Sequence, residues 1–203
     1  LKTSLNCGVD NSREAGLDGL FYASCLNGWW YDSLRTLENI ARDCGDENTA
    51  RQCEAIARQV EKNYTEAFFN AEKGYLRQAR TENFAIPERE IFQNTHTLGM
   101  DYAYGRHLFR RILPSLADYQ ATHLYHPMGH SAVAWNGDVP CEMWKSVHMS
   151  QHYGHECRIA RCGGRPGEAV RILRGFFRYF DRYGVAVETL NLSGEERDIT
   201  MTS

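Results

Sequence analysis

Two carboxylates in loops near opposite ends of the sequence, Asp10 and Glu188, are the side chains whose type and setting best suit paired chemistry. Asp10 stands in CGVDNSRE, a glycine-containing loop before the first helical stretch, and Glu188 in VETLNLSGE, after the last one. Two carboxyl groups facing each other across a substrate can divide the work: one protonates a leaving oxygen while the other activates water or attacks carbon. Taken singly, the same residues also read as a helix cap and a solvated turn charge. Histidines form a second set, with His148, His152 and His155 at i, i+4, i+7 spacing and His123, His126 and His130 before them. That spacing can present metal ligands on one helical face. No HExxH accompanies it, and a histidine on a helix face is more often packed or hydrogen-bonded, so neither a metal nor another cofactor is expected.

The elements that must position these residues are mostly helical. Between Gly19 and Asp43 the apolar residues Leu20, Ala23, Leu26, Trp30, Leu34, Leu37 and Ile40 recur in steps of three and four, which predicts an amphipathic helix ending at Cys44-Gly45. Asp46 is a good N-cap for a second helix reaching about Ala67, with Ala50, Cys53, Ile56, Ala57, Val60 and Tyr64 on one face. FFNAEKGYL, Phe68 to Leu76, reads as a turn between two short extended pieces, and the stretch from there through Pro87 as loop. Weak helical spacing runs from Thr97 to Leu116 and stops around Pro114, before a long loop from Tyr125 to Pro140. A helix is expected from about Glu142 to Arg161, and another from Glu168 to Arg182 that turns Ile172, Leu173, Phe176, Phe177 and Phe180 inward and closes at Gly184. The pattern is one of helical hairpins with long loops at one end.

With 203 residues, 42% hydrophobic and 12% aromatic, the chain can bury the core of one domain. A net charge of -3 from 23 basic and 26 acidic residues gives no electrostatic footprint for nucleic acid, and no apolar run is long enough to span a membrane. The seven cysteines are scattered and lack a CxxC pair, so they read as plain thiols. Compartment and oligomeric state stay open.

Three motifs resemble those of six-hairpin glycoside hydrolases. CGVDNSRE is similar to the Gly-x-Asp-x-Ser-x-Arg loop that carries the general acid in trehalases and in processing α-glucosidase, with Asp10, Asn11 and Ser12 at matching positions and Arg13 one place before that of the motif's arginine. WNGDVPCEMWKSVHMSQHYG resembles the signature in which a Trp-x-x-x-Pro-x-x-Trp stretch opens a helix ending in Tyr-Gly, through Pro140, Trp144, Tyr153 and Gly154, with Trp135 before them and each tryptophan one residue farther from Pro140 than in the signature. VETLNLSGE is similar to the Glu-x-Tyr-Asn-Pro-x-Thr-Gly-Glu loop that delivers the base; Glu188 and Asn191 match, Leu190 and Leu192 replace the aromatic residue and the proline, and the Gly-Glu pair, Gly194 and Glu195, comes one residue early. The run from Phe68 to Tyr75 echoes the hairpin turn of the same superfamily.

The resemblance implies an all-α (α/α)6 toroid, or part of one, whose loops at one end form a sugar pocket. Residues 1–203 would be a catalytic domain lacking its early hairpins and final helix. It further implies inverting hydrolysis of an α-linked sugar, with Asp10 as acid, Glu188 as base and a carbohydrate as partner. Trp144, Trp135 and Trp30 would stack on the sugar ring, with Asn11, Arg13 and Glu195 bonding its hydroxyls. Two other classes stay open: a non-catalytic helical module that binds glycans or protein, and a metal-dependent hydrolase built on the histidine rows.

Overall fold

A computed structural model describes residues 21–77, 79–87, 108, 110–126, 129–130, 147–149, 153–184 and 189–191. The described residues are mostly helical, and the fold is all-α with short two-stranded ladders at the helix ends.

Helix α1 (Ser24–Asp43) and helix α2 (Glu47–Phe68) form the first hairpin. Gly45 takes the left-handed conformation, φ 77°, which glycine adopts without a side-chain clash. The Gly45 and Asp46 amides then close the end of α1 on the carbonyls of Arg42 and Ala41, at 3.0 and 2.8 Å. Asp46 caps α2 as expected: its carboxylate accepts from the Thr49 amide at 3.0 Å and from the Thr49 hydroxyl at 2.7 Å. At the open end of the hairpin the buried Tyr64 hydroxyl donates to the Ser24 carbonyl at 2.9 Å, tying the last turns of α2 to the first turn of α1.

The face that α1 buries is rotated from the expected stripe. Leu34 is in the core, but Leu37 and Ile40 are exposed and Leu26 only half-buried, while Cys25, Gly28, Tyr31, Glu38 and Ala41 point inward. Small residues on this face let the neighbouring helix approach, and Glu38 enters it because Arg35 and Arg42 neutralise it at 2.8 and 2.6 Å. On α2 the expected face holds at Ala50, Cys53, Ala57 and Tyr64, with Ile56 turned outward. The main core joins Tyr31 and Leu34 to Ala57, Tyr64, Leu76, Leu116 and Ile159.

Strand β1 (Phe21–Ala23) replaces the first turn of the helix expected from Gly19, and pairs antiparallel with β4 (Ala79–Thr81) inside the stretch expected to be loop. Phe21, Ala23 and Ala79 are all buried, so a three-residue alternation supplies the ladder's inner side. The expected hairpin at Phe68 to Leu76 is present as β2 (Phe69–Asn70) and β3 (Tyr75–Leu76).

Pro114, whose position in the sequence suggests the end of a helix, starts one. It lies in the first turn of α3 (Leu113–Tyr119), where a missing N–H leaves no hydrogen bond unmade. A π-helical turn, Gln120–Leu124, continues α3 and leads into the antiparallel pair β5 (Tyr125–His126) and β6 (Gly129–His130), within the expected long loop.

The helix expected over 142–161 begins at Tyr153, because Val147–Met149 is extended as β7 and pairs with β8 (Thr189–Asn191). Helix α4 (Tyr153–Cys162) then turns into α5 (Pro166–Tyr183), which closes on the left-handed Gly184. Of the five α5 residues expected inside, Ile172 is buried and Phe176 packs beside it against Tyr153. Leu173, Phe177 and Phe180 are exposed, a correction that follows from the narrow contact face α4 offers, centred on Tyr153 and Ala160. Helix α3 packs against α4 and crosses the α4–α5 turn so closely that a Cβ added at Gly163 would lie 2.4 Å from the Ala117 Cβ and 2.7 Å from the Leu113 carbonyl oxygen.

Candidate active site

Two of the ladders lie at the ends of helical hairpins away from their tight turns. β1 leads into α1 and is fastened to β4, which follows α2. β7 precedes α4 and pairs with β8, which follows α5. In the second ladder Val147 pairs with Asn191, His148 with Leu190 and Met149 with Thr189. Two motifs far apart in sequence are thereby hydrogen-bonded to each other: VHM belongs to the stretch that follows Trp144, and TLN to the stretch that opens with Glu188.

The expected site residues Asp10, Asn11, Arg13, Trp135, Trp144, Glu188 and Glu195 themselves lie outside the described residues. Trp30 is described, half-buried and packed against the main core. Its neighbour Trp29 is 41% exposed and lines a shallow groove along α1 with Asp32, Leu37 and Ile40. A larger cleft, about 480 Å³, opens between the start of α1 and the last turns of α2, with Tyr22, Asn27, Asn63 and Phe84 among its walls.

The helical row of histidines is broken. His148 lies on β7 and His155 on α4, so they do not share the continuous helix face that their spacing suggested. His152 lies outside the described residues, and among those that are described no group of three His, Cys, Asp or Glu side chains is arranged to hold a metal ion.

Several buried polar groups went unnoticed in the sequence. Glu156 is fully buried on the apolar side of α4, and the buried Gln120 side chain donates to its backbone carbonyl at 3.1 Å. An acid three places after Tyr153, on the helix's inward face, was the available signal. Beside it, burial pushes the Cys157 thiol up to about 11, with the Glu156 charge adding to the effect, so this cysteine stays protonated near neutral pH and is a poor nucleophile. Tyr31 is raised to about 12, first by burial and then by the nearby Glu61 carboxylate.

The fold resembles that of a trehalase. The neutral trehalase Nth1 from Saccharomyces cerevisiae aligns with a TM-score of 0.63 over 83% of this chain, at 12% sequence identity. The match takes in 34% of that enzyme's chain, so this chain spans about a third of its length. No family model matches the sequence, and no curated protein matches it. What the two chains have in common is the fold.

Proposed function

We propose that the chain is the sugar-cleaving part of a glycoside hydrolase that opens an α-linked glycosidic bond by inversion. In this reading residues 1–203 form one catalytic domain. The observation that carries the reading is the β7–β8 ladder, which ties the stretch after Trp144 to the stretch opening at Glu188, in a chain whose helices follow the path of a trehalase. Asp10 is the general acid and protonates the departing oxygen; Glu188 is the general base and takes a proton from the attacking water. Inversion needs room for that water between the two carboxyl groups, a separation of roughly 6.5–9.5 Å. Asn11, Arg13 and Glu195 bond the sugar hydroxyls, and Trp30, Trp135 and Trp144 stack on the ring. No cofactor takes part.

The test is turnover of trehalose and of α-linked glucose oligosaccharides by the parent chain and by the Asp10→Asn and Glu188→Gln variants. Each amide variant is expected to keep its circular dichroism and melting temperature and to lose hydrolysis by at least about a hundredfold, as removal of a general acid or base does. A cleavable sugar hydrolysed equally fast by both variants would sink the assignment. Trehalose released as two α-glucoses in place of one α and one β, observed by proton NMR before mutarotation, would refute inversion.

A further inference from the structure

The lining of the cleft between the start of α1 and the end of α2 includes two unlike sets of side chains. One is aromatic: the rings of Tyr22 and Phe84 meet edge to face, centroids 5.4 Å apart at 79°. The other is a polar row on α2, where Gln59, Asn63 and Glu66 stand at i, i+4, i+7 and are all exposed, with Asn27 of α1 completing the lining. The volume, about 480 Å³, falls within the range of small-molecule pockets.

Phe84 is held there at a conformational cost. Its φ is 63°, and it is the one described residue other than glycine with positive φ. Bulky side chains rarely adopt that backbone, and such strain persists only where the surroundings over-determine it. Here they do: the Phe84 amide donates to the Thr81 carbonyl at 2.9 Å, the Thr81 amide to the Ala85 carbonyl at 3.0 Å, and the Ala85 amide to the Thr81 hydroxyl at 3.0 Å. The ring that this turn presents is nevertheless 49% exposed, so the strain is not offset by burial in the core.

We propose that this cleft binds a neutral pyranose unit, its C–H face laid on the Tyr22–Phe84 wall and its hydroxyl edge bonded by Gln59, Asn63, Glu66 and Asn27. Aromatic rings lining the same cleft as amides and a carboxylate match a ligand that is apolar on its faces and rich in hydroxyls around its rim. An anion is disfavoured. The lining contains Glu66 and no basic side chain, and nearby Arg80 is turned to the Ala67 carbonyl, its Nε 2.5 Å away, with its guanidinium 5.6 Å from the Phe84 ring centre. This site does not depend on the roles given to Asp10 and Glu188.

Titration calorimetry with trehalose, maltotriose and lactose, on the Asp10→Asn chain so that no sugar is consumed, tests the proposal. At least one of these sugars is expected to bind saturably, and Asn63→Ala and Phe84→Gly are each expected to weaken it by roughly tenfold or more. Neither should lower the melting temperature, since alanine suits an exposed helix position and glycine relieves the positive φ. Loss of affinity with stability kept separates a binding role from a structural one. Absence of saturable binding by all three sugars, or affinity unchanged in both variants, overturns the proposal. Affinity lost in these variants while the parent chain never cleaves would refute the catalytic reading and leave the cleft standing; turnover abolished by Asp10→Asn with binding insensitive to Asn63→Ala and Phe84→Gly would do the reverse.

Discussion

Replacing Gly163 with alanine should be one of the most disruptive single-methyl changes in the chain. The added Cβ would sit 2.4 Å from the Ala117 Cβ, 2.7 Å from the Leu113 carbonyl oxygen and 2.9 Å from the Ile159 carbonyl oxygen, whereas ordinary contacts begin at 3.4 Å. Two of the three atoms belong to backbone, so no side-chain rotation relieves the clash. Helix α3 must move away from the α4–α5 turn by about an ångström, which loosens Leu116 and Ala117 in the main core and strains the Arg165–Asp118 ion pair across the same junction. Overpacking of this kind costs about 1–3 kcal/mol, and backbone atoms in the path put the expected loss near the top of that range, about 2–3 kcal/mol. Urea unfolding measures it as a lower midpoint with the slope unchanged. Gly164→Ala is the control. Its site has no atom within 4 Å, but its φ of 86° leaves a backbone penalty of about 1–2 kcal/mol. A Gly163→Ala chain within about 0.5 kcal/mol of the parent would refute the reasoning, since substitutions free of such clashes fall in that range. Full recovery on adding Ala117→Gly would refute it too, because the two carbonyl contacts persist in that double variant.

Tyr64→Phe removes the buried hydrogen bond that ties the end of α2 to the start of α1 and should cost about 1 kcal/mol, read as a lower melting temperature. Asp46 gives a pH prediction: hydrogen bonds from the Thr49 amide and hydroxyl hold its carboxyl below the usual aspartate range. A depressed folded value means that this cap contributes fully above the unfolded aspartate's range and is lost as pH falls through the folded value. The stability gap between the parent and Asp46→Ala should therefore be constant near neutrality and close on acidification; a gap that widened in acid would contradict this origin.

The helical class, the first hairpin with its Asp46 cap, and the Phe68 to Leu76 turn were all legible in the sequence, because each rests on local chemistry: a 3.6-residue period, a side-chain cap, a glycine with positive φ. The errors have non-local causes. Leu37 and Ile40 looked like core because apolar spacing does not show which side of a helix its neighbour occupies, and Glu38 could be buried only because Arg35 and Arg42 flank it. The 147–149 stretch was read as helix because its partner, 189–191, lies far along the chain, and a three-residue strand carries almost no periodic signal of its own. Pro114 was read as a stop for want of the preceding context that makes it a first-turn residue. Motif resemblance singled out the stretches that contain β7 and β8, whereas Tyr22, Asn63 and Phe84 lack any motif and became visible as a group only when β1, α2 and the turn after β4 were brought together.

The π-helical turn at Gln120–Leu124 has a consequence for how this chain can change length. A turn closed by i→i+5 bonds holds about one residue more than the α-helical turn it replaces, so it works as a phase spacer between α3 and β5. Removal of a single residue at its exposed Thr122 would let the helix run on with ordinary bonds while rotating everything beyond it by about 100°. The buried Gln120 and Leu124, which flank that position, would no longer both face inward. Single-residue indels here therefore act as steering changes for the β5–β6 hairpin more than as damage to the helix, and relatives that differ by one residue at this point would be expected to carry that hairpin at a different angle.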